Sequence, residues 1–259
     1  MTADEKFRMM TQKPVEPLIW SLAIPTIISM LISSIYNMAD TFFVSKISTS
    51  ASGAVGVAFS LMSIIQAIGF TFGAGSGNYI SRLLGQKNKS LASKVAATGF
   101  FTSFALSIAL SVLGTIYLDR LVYALGATHT IAPFAKDYVR YILIGMPFMV
   151  SSLVLNQILR YQGSAYYAAI GIGLGGILNI ILDPIFIFKL EMGISGASLS
   201  TIISQFISFS LLLWNCRVGE NIRIKFQNFS PTVKIYKTIF RDGLPSFYRQ
   251  FLSSAAMIY

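Results

Sequence analysis

Residues 171–188 read GIGLGGILNIILDPIFIF, and residues 27–44 read IISMLISSIYNMADTFFV. Each is an apolar run long enough for much of a membrane crossing, and each holds one aspartate, Asp183 and Asp40. An ionised carboxylate at the centre of a bilayer costs roughly 2.5–3.5 kcal/mol even on lenient scales. Such groups face a bundle interior or a wet cavity and mark paths for ions or polar solutes. These two runs decide the class: an all-α polytopic membrane protein with acid in its interior.

The composition agrees. The 259 residues are 54% hydrophobic and 12% charged, against about 25% charged in soluble domains. The opening, MTADEKFRMMTQKPVEP, is polar and lacks the short apolar core of a cleavable leader. Net charge is +10, but basic residues gather in the loops of membrane proteins that stay in the cytoplasm. No aromatic-interleaved basic run points to nucleic acid. Cys216 is the single cysteine and His129 the single histidine. That excludes an intrachain disulfide and a multi-histidine metal site.

A crossing helix needs roughly 20 apolar residues. Six spans fit, at residues 18–44, 52–81, 92–118, 133–159, 164–188 and 194–216, and a seventh begins near 239. One set of connections carries Lys6, Arg8 and Lys13, then Arg82 to Lys94, then Arg160, then Arg217 to Arg241. The alternate set carries only Lys46, Arg120, Lys136, Arg140 and Lys189. The positive-inside rule then places the N-terminus in the cytoplasm.

The organisation expected is a cytoplasmic segment 1–17, a six-helix lobe 18–216, a linker 217–238 and the start of a second lobe at 239–259. The linker, RVGENIRIKFQNFSPTVKIYK, reads as a connection with basic anchors. A short repeat supports the second lobe. IWSLAIPTIISMLISSIY from Ile19 matches IFRDGLPSFYRQFLSSAAMIY from Ile239 at one constant offset, pairing Pro25 with Pro245 and Ser33–Ser34 with Ser253–Ser254. Six-helix repeats about an axis normal to the membrane are a transporter architecture.

Asn179 and Asp183 lie four residues apart and share a helix face. Pro184 follows, and proline removes a backbone donor and loosens the turn before it. In lipid the released carbonyl needs a partner such as water or a cation. Polar glue between helices accounts for Asn179 taken alone. An acid beside a kink points instead to a site for a proton or sodium ion. On the first span, Tyr36 shares a face with Asp40, and Asn37 lies one turn away. The competing reading of Asp40 is a fixed ion pair with Arg160 or Arg249. Gln66, Asn156, Met62 and Met149 are further candidate cavity residues, with ordinary packing as the alternative. Pro25 and Pro147 are the other candidate bends. The opening of the sixth span, GISGASLSTIIS, offers small residues for close helix approach and Thr201 as a candidate hydroxyl ligand. There is no nucleophile elbow, no zinc-protease pair and no phosphate loop, so the chain reads as no enzyme, and nothing calls for a cofactor.

At IPTIISMLISSIYNMADTFFVSKI, GFTFGAGSGNYISRLLGQKN, LNIILDPIFIF and MGISGASLSTIIS the chain resembles the multidrug and toxic compound extrusion (MATE) family, in its bacterial drug-exporter branch. The resemblance implies two six-helix lobes around a central cavity, here the first lobe plus the start of helix seven. The missing lobe is then expected in the same polypeptide. It implies export of amphipathic organic cations across the plasma membrane in exchange for H+ or Na+. It implies a coupling-ion site at Asp40, Asn179, Asp183 and Thr201, and a helix-one bend at Pro25. Ser200 stands where many members have alanine, a difference expected to be harmless. A lipid-linked oligosaccharide flippase of the same superfamily is the runner-up, although its cavity would need interior bases. A non-transporting membrane fragment is the third reading.

Overall fold

The computed structural model describes residues 5, 12, 14–218 and 221–256. Lys6, Arg8 and Lys13 lie outside the described residues. Among the described residues there are eight α-helices and no strand. They are α1 (Val15–Ser45), α2 (Thr49–Gly85), α3 (Lys89–Ile116), α4 (Leu118–Ala124), α5 (Ala132–Tyr161), α6 (Ala165–Pro184), α7 (Gly193–Asn215) and α8 (Val233–Ala256). Six helical segments are long and apolar enough to cross a membrane: α1, α2, α3, α5, α6 with its extension to Lys189, and α7. The chain is a multi-pass membrane protein.

Local chemistry explains several boundaries. Ser48 caps α2 by accepting the Ala51 N–H at 3.0 Å, and Asn88 caps α3 by accepting the Leu91 N–H at 3.1 Å. These bonds satisfy backbone donors that a helix start leaves unpaired. Pro25 and Pro147 sit inside continuous helices. Pro184 ends α6, and the chain widens into a π turn over Ile185–Lys189.

The centre of the bundle is α5, which packs against α2, α3, α6 and α7. Its middle, from Tyr138 through Leu159, is rich in fully buried residues. By contrast α1 stands at the edge and leans mainly on α6. The described buried residues of α1 are Ser29, Asp40 and Val44, while Trp20, Ile28, Leu31 and Met38 face outward.

Two expectations change. The short helix α4 was not anticipated, because seven residues leave little periodicity to read. The seventh long helix begins at Val233, six residues before the expected start, so the connection ends at Thr232 rather than at 238. That connection is also tied down. Gln162 accepts the Ile222 N–H at 2.7 Å, and Ser164 donates to Asn221 at 2.7 Å. Phe226 and Phe229 both set their rings edge-on to Phe101 of α3.

Helix α8 lies along α2 in close backbone contact. A Cβ on Gly75 would fall 2.1 Å from the Ile239 carbonyl oxygen, and one on Gly243 would fall 2.2 Å from that of Thr71. The crossing is flanked by a Gln250–Gln66 hydrogen bond at 2.9 Å and by an Arg82–Asp242 ion pair.

Candidate functional site

Asn179 and Asp183 occupy successive turns near the end of α6, and the Asn179 amide donates to Asp183 Oδ1 at 3.2 Å. The widened turn after Pro184 then meets the start of α7. Gly196 makes this possible: a Cβ there would fall 2.7 Å from the Phe186 carbonyl carbon and oxygen. One turn further along α7, Ser200 and Thr201 face the α6 pair. Ser200 donates to Asp183 Oδ1, and the Asn179 amide reaches Ser200 Oγ at 3.1 Å and Thr201 Oγ1 at 3.3 Å. Thr201 also bonds its own helix at the Ala197 carbonyl, 3.0 Å away.

Asp40 joins this group from α1. Tyr138 of α5, fully buried, donates its phenol hydrogen to Asp40 Oδ2 at 3.1 Å and has Thr201 beside it. Asp183 is close enough for its charge to act on Asp40. The site thus draws side chains from α1, α5, α6 and α7. The expected set of Asp40, Asn179, Asp183 and Thr201 comes together, and Tyr138 and Ser200 complete it.

Three acceptors in this cluster have no hydrogen-bond partner: Asp40 Oδ1, Asn179 Oδ1 and Asp183 Oδ2. Their residues are 6%, 2% and 0% exposed. An unsatisfied buried acceptor costs about 1–3 kcal/mol, and more when charged. The ion-pair reading of Asp40 does not hold. Arg160 donates to Ser29 at 3.0 Å, and Arg249 sits over the Phe70 ring. Arg82–Asp242, Lys136–Asp119 and Arg241–Asp242 form ion pairs, all of them outside the cluster. A donor set made only of carboxylate, amide and hydroxyl oxygens suits a proton or a hard cation.

The other candidates separate. Tyr36 lies beside Asp40, with its ring against Gly176 of α6. Asn37 is half-buried one turn from Asp40, and its carbonyl accepts the Thr41 hydroxyl. Gln66 accepts from Gln250 and belongs to the α2–α8 contact, not to this site. Asn156 is buried and donates to the Ala168 carbonyl at 2.9 Å, which ties α5 to α6. Met62 and Met149 pack half-buried against the apolar core. Tyr138 is not among the residues that the sequence singles out, and Ser200 stands out there only as a difference from alanine. Neither has a spacing signal, since they reach their carboxylates across 98 and 17 residues.

An all-helical bundle with six apolar spans and an acidic, oxygen-lined cluster in its interior defines a polytopic membrane protein with a polar interior. The MatE family model matches residues 25–185, and the chain belongs to that family. It is 28% identical over 246 residues to the multidrug export protein MepA of Staphylococcus haemolyticus, covering 94% of this chain and 54% of that protein. It is 33% identical over 202 residues to an FAD transporter of Shewanella oneidensis, covering 76% of this chain and 45% of that protein. A solved MOP superfamily transporter from Pyrococcus furiosus superposes with TM-score 0.88 at 32% identity, covering 97% of this chain and 56% of that one. The chain spans about half the length of the curated relatives it matches. Members of this family are transporters and not enzymes.

Proposed function

We propose that this chain is the ion-binding half of an antiporter that exports amphipathic organic cations, including drugs, in exchange for H+ or Na+. In this reading residues 18–216 form one lobe, α8 opens a second, and the N-terminus faces the cytoplasm of a bacterial cell membrane. The observation that carries it is the trio of unpartnered buried oxygens on Asp40, Asn179 and Asp183. Nothing in the cluster neutralises the two acids, so a cation arriving from outside the fold is the group that completes it. A site that must be filled and emptied is what coupling to an ion gradient requires, since a ligand shifts an equilibrium only by its differential affinity for the two states. The kinship with a multidrug exporter supports drug-like cargo.

The test is drug resistance of cells expressing the complete protein, with the amount in the membrane measured alongside. Asp183→Asn is expected to abolish resistance at unchanged expression. Resistance at the wild-type level would sink the site. Efflux assays on a cationic dye and on FAD separate cargo classes; transport of FAD alone would replace the cationic reading with an anionic one.

A further inference from the structure

Ser200 and Thr201 share two partners, the Asn179 amide and the Ala197 carbonyl, but Ser200 also meets the Asp183 carboxylate. The Ser200 side chain is fully buried on α7. Its hydroxyl carries one hydrogen but lies within reach of two acceptors, Asp183 Oδ1 and the Ala197 carbonyl at 2.9 Å. It also receives the Asn179 amide at 3.1 Å. A hydroxyl offers one donor and two lone pairs and can rotate between partners. Its hydrogen can serve the Asp183 carboxylate or the Ala197 carbonyl; turned to Ala197, it would leave a lone pair free to face a cation held against that carboxylate.

We propose that Ser200 is a direct oxygen ligand of the coupling ion, and that the ion it serves is sodium. This rests on the ion-coupled reading above and deepens it. The acceptor count favours a metal cation over a proton. A shared proton bridges two oxygens. The cluster offers the unpartnered Asp40 Oδ1, Asn179 Oδ1 and Asp183 Oδ2, together with the hydroxyls of Ser200 and Thr201. Hard metal cations take several oxygens at once, from carboxylates, carbonyls and waters. Alanine at this position supplies neither the donor nor the ligand. Cysteine keeps the volume but offers a soft sulfur that a hard cation avoids.

The test is equilibrium binding of radiolabelled sodium to the purified complete protein, at fixed pH, with choline keeping ionic strength constant. Ser200→Ala and Ser200→Cys are each expected to weaken sodium binding about tenfold, which is ~1.4 kcal/mol. Asp183→Asn is expected to remove binding. A purely structural role would lower the melting temperature measured without sodium and leave sodium affinity unchanged. Sodium affinity equal to wild type in both Ser200 variants overturns the proposal, and the cysteine variant decides it should the alanine variant not fold. A wild-type protein that binds no sodium, yet exports in a proton gradient only with Asp183 intact, overturns this inference and leaves the broader reading standing. Full export by Asp183→Asn overturns the broader reading.

Discussion

The α2–α8 crossing allows a quantitative prediction. Gly75 faces the Ile239 carbonyl, and Gly243 faces the Thr71 carbonyl. Each glycine therefore opposes a backbone oxygen one turn back on the partner helix. A methyl on Gly75 would lie 2.1 Å from oxygen, and one on Gly243 would lie 2.2 Å. Carbon and carbonyl oxygen settle at about 3.3–3.6 Å, so the helices must part by about 1 Å. No side-chain rotation relieves the clash, because both obstacles are backbone. Overpacking of this kind costs about 1–3 kcal/mol. Alanine returns up to about 1 kcal/mol in helix propensity, which with the full return leaves a net loss of about 0–2 kcal/mol for Gly75→Ala or Gly243→Ala, and a deficit of about 1–3 kcal/mol against an alanine substitution on the same helix that meets no clash. Gly56 and Gly85, on the same helix α2, have nothing within 4 Å of a built Cβ. Gly56→Ala and Gly85→Ala serve as references that carry the propensity gain without the clash. Reversible unfolding in mixed micelles, read by circular dichroism, gives the four values. The two clashing substitutions should also be sub-additive, because helices parted for one methyl already have room for the other. Gly75→Ala as stable as Gly56→Ala, or full additivity in the double variant, would refute the close crossing.

Three further outcomes are expected. Asp40→Asn should uncouple export from an imposed pH or sodium gradient in vesicles loaded with the complete protein; normal gradient-driven efflux would rule out its role. Tyr138→Phe removes the hydrogen bond donated to Asp40 Oδ2, and a hydrogen bond to a charged group contributes about 1.5–3 kcal/mol. It should therefore weaken ion binding by roughly one to two orders of magnitude at unchanged membrane expression, as measured by the same equilibrium binding of radiolabelled sodium. Cys216 is fully buried at the end of α7, so a maleimide should label it only after detergent denaturation, and rapid labelling of the folded protein would contradict its placement.

What could be read from the chain divides by the distance over which the information travels. Helix positions followed from runs of apolar residues, each a property of some twenty neighbours, and all six expected spans have counterparts in the structure. The pairing of Asn179 with Asp183 was equally legible, because a four-residue spacing on one helix fixes which side chains meet. Asp40 and Thr201 stood out singly, as an acid in an apolar run and a hydroxyl near a helix start, and the resemblance to a family joined them to that pair in one site. Beyond that range, spacing carries no information. Asn156 and Gln66 look like cavity residues in a list of polar positions, yet each meets a partner on a neighbouring helix. The reach of Ser200 to Asp183 depends on how closely α7 approaches the turn after Pro184, and that approach depends on Gly196 lacking a side chain. A glycine in GISGASLSTIIS says that a close contact is possible but not with what. The same ambiguity hides the α2–α8 crossing, where Gly75 is one of several glycines in GFTFGAGSGNY. The expectation that Ser200 is a harmless difference from alanine weighs it as one residue on one helix. In the structure that hydroxyl spans two helices and touches the acid on which the site depends. A small polar substitution beside a close-packing glycine is therefore better judged by what the neighbouring helix presents than by its own size.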